Sequence, residues 1–116
     1  MEQPLVSVIT ITRNRGKLIG RCIRSVLNQT YKNIEHIVVD GASDDETDEV
    51  ISTFKDERLV YLKLKENWPL EKTYKYGTAR AKGKYICFLD SDDEYLPTKI
   101  EKQVNLIESL PKELVS

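Results

Sequence analysis

Apolar residues along this chain follow two spacings, one typical of buried strands and one typical of helices. Runs rich in β-branched residues predict four strands, over residues 5–12, 34–40, 59–64 and 85–89. Apolar positions that recur every three or four residues predict four helices, over residues 16–30, 43–54, 69–83 and 97–111. Because each strand is followed by a helix, we expect a three-layer α/β/α fold with a mostly parallel sheet and helices on both faces.

Short polar and proline signals set the expected helix ends. Ser43 and Glu46 have the spacing of a capping box, so the second helix should begin there. Pro69 suits the first position of the third helix, which Gly83 should end. A proline also opens the last helix, at position 97, and another ends it at position 111.

Length and charge narrow the class of protein. The 116 residues predict a single domain over residues 1–116, with one hydrophobic core. The formal net charge of −1 gives no reason to expect a nucleic-acid partner. Cys22 and Cys87 fall in apolar segments far apart, which favours free thiols over a disulfide or a zinc site. Without a signal-like or membrane-spanning segment, we expect a cytoplasmic location, with any association to a membrane surface through regions outside this chain.

An unusual concentration of acids follows the fourth predicted strand. Asp90, Asp92, Asp93 and Glu94 lie within five residues of one another. Carboxylates this close repel, so a cation or another positive partner must neutralise them. Asp90 and Asp92 are separated by one residue and can point to the same side at a strand end, where they could converge on a hard cation. The pattern predicts a divalent metal site.

The carboxyl ends of the other strands are polar as well. Thr12, Arg13 and Asn14 follow the first strand, and Asp40 ends the second. In open parallel sheets, ligands bind beyond these ends. Because the chain has neither a glycine-rich dinucleotide turn nor a P-loop, a phosphorylated ligand would need a cation and basic side chains to meet its charge. This division of labour fits a nucleotide diphosphate, with Asp40 holding a base or a sugar hydroxyl.

Four sequence blocks in order resemble the family 2 glycosyltransferases of the GT-A fold. The blocks span nearly the whole chain and comprise Val6-Ser7-Val8-Ile9 with Asn14-Arg15, Ser25-Val26-Leu27-Asn28-Gln29-Thr30-Tyr31, Ile37-Val38-Val39-Asp40-Gly41-Ala42-Ser43, and Ala81-Lys82-Gly83-Lys84-Tyr85-Ile86-Cys87-Phe88-Leu89-Asp90-Ser91-Asp92-Asp93. The resemblance implies the nucleotide-sugar-binding half of such an enzyme. In this family many members carry a second acid where this chain has Gly41.

The resemblance also implies roles for individual residues. Asp40 would contact the base, Asp90 would lie near the ribose or sugar, and Asp92 would bind Mg²⁺ or Mn²⁺. Either Lys72 or Lys75 would meet the phosphate. The implied nucleotide-sugar-binding set is Thr10, Ile11, Thr12, Arg13, Asn14, Asp40, Lys72, Asp90 and Ser91.

The implied reaction is hexosyl transfer with inversion, from a nucleotide-diphosphate sugar to an acceptor hydroxyl. The donor would be a UDP-sugar and the acceptor a saccharide or a lipid-linked molecule, as in polysaccharide biosynthesis. The catalytic base is expected beyond Ser116. The chain would then be a fragment of a longer enzyme, or a module that binds donor without completing transfer.

Other protein classes remain open from the residues alone. A non-catalytic donor-binding or assembly module would need no base. A Mg²⁺-dependent phosphoacceptor signalling domain needs an acidic pair after the first strand, where this chain has Thr12, Arg13 and Asn14. A phosphatase with an Asp-x-Asp nucleophile would place that motif after its first strand. His36 lies inside a strand and is expected to be structural, and Trp68 either packs the loop or stacks on the ligand.

Overall fold

The structure is a computed structural model that describes residues 3–111. Within this range strands and helices alternate, which confirms the predicted order of elements. The elements are β1 (Val6–Thr12), α1 (Ile19–Leu27), β2 (Ile34–Asp40), α2 (Thr47–Ser52), β3 (Leu59–Lys63), α3 (Leu70–Ala79), β4 (Tyr85–Phe88) and α4 (Lys99–Glu108).

The strands of the described residues form one parallel sheet in the order β3-β2-β1-β4. Thr12 at the end of β1 pairs with Asp40, which pairs in turn with Lys63 of β3. On the other side of β1, Ile9 pairs with Phe88, so the acid-rich segment emerges beside the end of β1. The chain steps outward from β1 to β3 and then returns to β4, so the strand order reverses between β1 and β4.

Helices cover both faces of the sheet, which confirms the three-layer prediction. One face packs against α1, α2 and α4, and its buried core includes Ile23, Ile51 and Ile100. The other face packs against α3 and the loop before it, around Ile9 and Ile37. Both faces of β1 and β2 are buried, which accounts for the apolar residues on both faces of these strands.

The second helix does not start as expected, and its predicted capping box is wrong. Helix α2 begins at Thr47, and Glu46 at its N-cap makes no side-chain capping bond. The Ser43 hydroxyl instead donates a hydrogen bond to Asp40 Oδ1 at 2.6 Å. Asp45 takes the expected capping role, since its Oδ1 accepts a hydrogen bond from Thr47 N at 2.9 Å.

The helices are also shorter than their apolar periodicity suggested. Helix α1 starts at Ile19 and ends at Leu27. Pro69 was predicted to be the first residue of α3. It is instead the N-cap residue, with an extended ψ of 146°. Helix α3 ends at Ala79, well before Gly83, and α4 lies inside both flanking prolines. Apolar contacts continue into the connecting turns, so periodicity overestimates helix length.

Gly83 lies where β4 approaches the backbone of β1. A Cβ atom at this position would lie 2.7 Å from Ser7 N and 2.9 Å from Leu5 O, and neither backbone atom can move without disturbing β1. We expect Gly83→Ala to lower the free energy of unfolding by about 2 kcal/mol, as overpacking usually does. Urea denaturation measures this loss.

Gly16→Ala is the matched control for Gly83→Ala. The three atoms nearest to a Cβ at Gly16 would all belong to the side chain of Glu46, which is exposed and can rotate away. The loss of stability should therefore be clearly smaller at Gly16. Equal losses at both sites would contradict the packing explanation for Gly83.

The remaining observations concern membrane-spanning helices and the two cysteines. Every helix among residues 3–111 is too short or too polar to span a bilayer. Cys22 is a buried free thiol and Cys87 is a half-buried one. Burial raises the pKa of the Cys22 thiol to about 11, so this thiol stays protonated and unreactive at neutral pH.

Candidate donor-binding site

A cavity of about 490 Å³ lies at the carboxyl ends of β1 and β2, beside the loop that follows β3. The same edge includes the reversal point of the strand order, where open parallel sheets bind their ligands. The lining residues are Ile11, Thr12, Arg13, Arg15, Gly41, Asn67, Trp68, Pro69, Leu70, Thr73 and Ser91. Four of the residues predicted from the sequence, Ile11, Thr12, Arg13 and Ser91, therefore line one cavity.

Thr12 lines this cavity, although its hydroxyl is buried and unpaired within residues 3–111. Its side chain is buried, and its Oγ1 has no hydrogen-bond partner among the described residues. Buried hydroxyl groups in proteins almost always have a partner. Because Thr12 Oγ1 is shielded from solvent, the hydroxyl is not a ligand-binding group of this cavity, and Thr12 lines the cavity with its other atoms.

Asn14 joins the loops that follow β1 and β2. Its backbone N donates to Ser43 Oγ at 2.8 Å, and its side-chain oxygen accepts from Asp44 N at 2.9 Å. Asn14 has a positive φ of 53°, a conformation that asparagine tolerates better than most residues. The side-chain amide oxygen is therefore already engaged in holding the loop. Asn14 does not line the 490 Å³ cavity, and its predicted nucleotide contact stays a prediction.

Asp40 is fully buried, and both of its carboxylate oxygens have partners. Oδ1 accepts hydrogen bonds from the backbone N and the hydroxyl of Ser43, and Oδ2 accepts one from the Tyr61 hydroxyl at 2.7 Å. Burial, together with the Asp40 charge, raises the pKa of Tyr61, so this phenol remains a donor. Asp40 shapes the loop, and its predicted contact with a base stays a prediction.

Thr10 precedes the lining residues Ile11 and Thr12 on β1, and it does not itself line the cavity. Its hydroxyl is buried and lies 2.8 Å from His36 Nε2 and 3.8 Å from Cys22 Sγ. Because side chains alternate along a strand, Thr10 faces the α1 side of the sheet. The predicted nucleotide contact of Thr10 therefore stays a prediction.

The acid segment after β4 reaches the cavity through Ser91. Ser91 is buried and lines it, while Asp90 and Asp92 are exposed on either side of Ser91. Asp90 also borders a second cavity of about 620 Å³, next to α4. A backbone hydrogen bond of 3.0 Å from Asp93 N to Asp90 O closes a turn around these residues.

The chemistry of these acids fits a hard divalent cation. Within residues 3–111, no side-chain hydrogen bond or ion pair engages the carboxylates of Asp90 and Asp92, and no group of three or more acid, His or Cys side chains forms a metal cluster. Mg²⁺ is usually held by one or two carboxylates together with substrate phosphates and water. Two free carboxylates beside the cavity match that mode of binding.

Lys72 lies over Trp68 on the α3 side of the cavity, and of these two residues only Trp68 lines it. Lys72 Nζ lies 4.2 Å from the centroid of the Trp68 ring, and Trp68 packs edge-on against Tyr76. Lys75, the other basic candidate, makes an ion pair with Glu71 at 3.3 Å. Lys72 is therefore the lysine that lies over a residue of the cavity lining.

Several lining residues were not predicted from the sequence. Asn67, Pro69, Leu70 and Thr73 reach the cavity because α3 begins at the same sheet edge. The first turn of a helix carries no local sign of a ligand. Tyr61 was also missed as the partner of Asp40, since that hydrogen bond joins residues 21 positions apart.

Comparison with solved structures defines the class of protein. The fold matches the crystal structure of S. aureus TarS in complex with UDP, with a TM-score of 0.82 and 27% sequence identity. The match covers 89% of this chain and 32% of that one, and the TarS complex with UDP-GlcNAc gives a TM-score of 0.83. The fold is therefore the GT-A type of α/β fold, found in glycosyltransferases.

The sequence identifies the family within this class. Residues 7–116 match the family described as Glycosyl transferase family 2, so the chain belongs to that family. Among curated relatives, it is 39% identical over 105 residues to the Escherichia coli UDP-Glc:alpha-D-GlcNAc-diphosphoundecaprenol beta-1,3-glucosyltransferase WfaP. It is 37% identical over 107 residues to TuaG of Bacillus subtilis, a putative teichuronic acid biosynthesis glycosyltransferase.

The two relatives are considerably longer than this chain. The alignments cover 90% of this chain in both cases, but 42% of WfaP and 42% of TuaG. This chain thus spans less than half the length of the curated relatives it matches.

Proposed function

We propose that this chain is the donor-binding part of a glycosyltransferase that moves a sugar from a nucleotide-diphosphate donor to an acceptor hydroxyl. The observation that carries the proposal is the meeting of Ser91, from the acid segment, with Thr12 and Arg13, from the end of β1, in one cavity. Family membership and the UDP-bound neighbour support a nucleotide sugar as the ligand. UDP is the nucleotide we infer.

Different residues in and around the cavity bind the nucleoside and the phosphates of the donor. Thr12 and the backbone after β1 bind the nucleoside, with Asp40 holding the loop beneath the base. Arg13, whose Nε donates to Gly41 O at 3.1 Å, keeps its remaining N–H groups for the donor. Lys72 supplies positive charge for the phosphates from the α3 side.

Asp92, with Asp90 nearby, would hold Mg²⁺ or Mn²⁺ against the diphosphate. Bound there, the cation supplies charge neutralisation that stabilises the diphosphate as a leaving group. Ser91 lies between these acids and faces the donor. The exposed carboxylates need no rearrangement of ion pairs before they bind.

In the transfer step, the acceptor oxygen forms a bond to the anomeric carbon while the bond from that carbon to the diphosphate oxygen breaks. Attack opposite the leaving group inverts the configuration. The acceptor proton passes to a base that we expect outside residues 1–116. WfaP is named for a diphosphoundecaprenol-linked acceptor, which supports a lipid-linked acceptor and a role in polysaccharide biosynthesis. Such an acceptor would place the site at a cytoplasmic membrane surface.

A second candidate is a donor-binding module without transferase activity of its own. The observation that favours it is that none of the described residues lining the cavity is an Asp, Glu or His that could act as a general base. Both candidates predict donor binding. They differ in whether the chain of residues 1–116 by itself transfers sugar from a UDP-sugar to an acceptor.

Titration with UDP in the presence and absence of Mn²⁺ tests the proposal. Trp68 is the single tryptophan of the chain and lines the cavity, so its fluorescence should report binding directly. We expect Mn²⁺-dependent binding and a rise in thermal stability, equivalent to about 2.7 kcal/mol when UDP is 100 times its Kd. EDTA should reverse the metal-dependent part. No response to millimolar UDP with Mn²⁺ would reject the donor-binding function.

A further inference from the structure

The second sequence block, Ser25 to Tyr31, has no role in the site described so far, yet its side chains contact the acid segment. Residues 90–96, which contain these acids, form the acid loop. Arg21, Ser25 and Gln29 recur at every fourth position along α1 and just past its end, which places them along one side. All three contact the main chain of the acid loop or of the residues directly after it.

Gln29 is the most heavily bonded of the three. It is fully buried, and its Nε2 donates to Leu96 O at 2.6 Å and to Ser25 O at 3.0 Å. Its Oε1 accepts a hydrogen bond from Ile100 N at 3.0 Å. Every donor and acceptor group of this amide is therefore used, on both sides of Pro97.

The bond to Ile100 also explains how α4 begins. The first backbone N–H groups of a helix have no partner inside it. Thr98, the N-cap residue of α4, makes no side-chain capping bond. Gln29 takes over that function from another helix, so it couples the end of the acid loop to the start of α4.

Ser25 and Arg21 hold the middle of the acid loop. Ser25 Oγ donates to Cys22 O at 2.7 Å and accepts from Tyr95 N at 3.0 Å. Arg21 Nη2 donates to Asp92 O at 2.8 Å, and its Nε pairs with Glu94 at 3.1 Å. The loop is thus tied by its main chain and by Glu94.

These contacts leave the carboxylates of Asp90 and Asp92 free, because α1 binds backbone atoms rather than those side chains. Clustered carboxylates repel one another, and a loop that carries them spreads apart unless its backbone is restrained. A preorganised backbone is also what keeps metal ligands in a productive arrangement. The contacts from α1 meet both requirements.

We propose that Ser25 and Gln29, assisted by Arg21, are positioning residues that hold the acid loop so that Asp90 and Asp92 bind a divalent cation together with the donor. The inference rests on the proposed function, since it assigns these residues to the cation of that site. It also gives a role to the Ser25 to Tyr31 block, which no local pattern explained.

The test measures the Mn²⁺ concentration that gives half-maximal UDP binding, from Trp68 fluorescence, at a temperature where each variant is folded. Ser25→Ala and Gln29→Met should each raise this concentration about tenfold, the usual lower effect of losing a residue that orients a metal ligand. Ser25→Thr keeps the hydroxyl and should restore the wild-type value. Hydrogen exchange of the Tyr95 and Ile100 amides, without metal, should be faster in Ser25→Ala and Gln29→Met respectively.

Gly83→Ala is the control for a purely structural effect, because it destabilises the fold at the opposite ends of the strands. It should leave the Mn²⁺ dependence unchanged. If wild-type protein binds UDP with Mn²⁺ but folded Ser25→Ala shows the wild-type Mn²⁺ dependence, the positioning role is wrong and the proposed function stands. If Gln29→Met fails to fold, the comparison of Ser25→Ala with Ser25→Thr tests the positioning role by itself. Wild-type protein that does not bind UDP with Mn²⁺ overturns both.

Discussion

Replacing Asp92 by alanine should abolish the Mn²⁺-dependent part of UDP binding, with a loss of apparent Mn²⁺ affinity of at least about 100-fold. Removing a residue that only orients a metal ligand typically lowers metal affinity about 10- to 100-fold. Removing a direct ligand such as Asp92 should therefore lower it at least about 100-fold. Asp92 is exposed, and no described side chain engages its carboxylate. Folding should therefore survive the substitution. Isothermal titration of UDP at several Mn²⁺ concentrations measures the effect.

Asp93→Ala is the matched control for Asp92→Ala. Asp93 lies in the same loop and carries the same charge, but its Oδ1 accepts a hydrogen bond from Glu94 N at 2.9 Å. Both substitutions remove one negative charge from the loop, so a general electrostatic effect would weaken Mn²⁺ binding equally in the two variants. A much larger loss for Asp92 supports direct coordination. Equal losses, or none, would contradict the assignment of Asp92.

The metal-independent part of UDP binding should persist in Asp92→Ala. Thr12 and Arg13 line the cavity from β1, and the substitution leaves them in place. Weak binding of UDP without Mn²⁺ should therefore be the same in the variant and in the wild type. This comparison separates loss of the cation from collapse of the cavity.

The second large effect concerns pH and His36. His36 is the single histidine of the chain, it is fully buried, and burial lowers the pKa of its imidazole from 6.5 to about 3. The unfolded chain therefore binds one more proton than the folded chain between these two pKa values. Because stability then rises with pH, acidification from pH 7 to pH 5 should lower the free energy of unfolding by about 2 kcal/mol, at about 1.4 kcal/mol per unit below pH 6.5.

The interval from pH 7 to pH 5 isolates His36 from the acids. Carboxylates whose pKa is lowered in the fold, such as Asp56 beside Arg58, lose their stabilising effect only at lower pH. Urea unfolding at several pH values measures the slope. The variant His36→Gln cannot titrate, so its stability should be nearly constant across the interval, though lower overall. An imidazole NMR signal that titrates near pH 6.5 in folded protein would contradict the burial effect.

The fold was predictable from the sequence because its signals are local. The β-branched run that became β1 and the apolar stripe that became α1 describe which faces are buried. Strands β1 to β4 followed their predicted ranges within a residue at each end. The start of α2 was predicted less accurately, because the Ser43 hydroxyl bonds to the buried Asp40 carboxylate instead of capping the helix.

The site was predictable only in part. The acids after β4 and the polar end of β1 were identified as facing one sheet edge, and the cavity contains residues from both. Asp40 was identified as a strand end, but its bond to Tyr61 depends on the pairing of β2 with β3. The role of Thr10 in bonding to His36 depends similarly on which face of β1 it occupies.

The sequence by itself determined the alternation of strands and helices, the buried faces and the position of the acids, since these depend on the spacing of neighbouring residues. Only the tertiary structure decided the strand order β3-β2-β1-β4, which brings the end of β4 beside β1. It also decided that Gln29 bonds to Leu96 and Ile100, residues 67 and 71 positions away. Such contacts arise from the packing of whole elements, and local periodicity carries no information about which distant backbone group a buried amide will find.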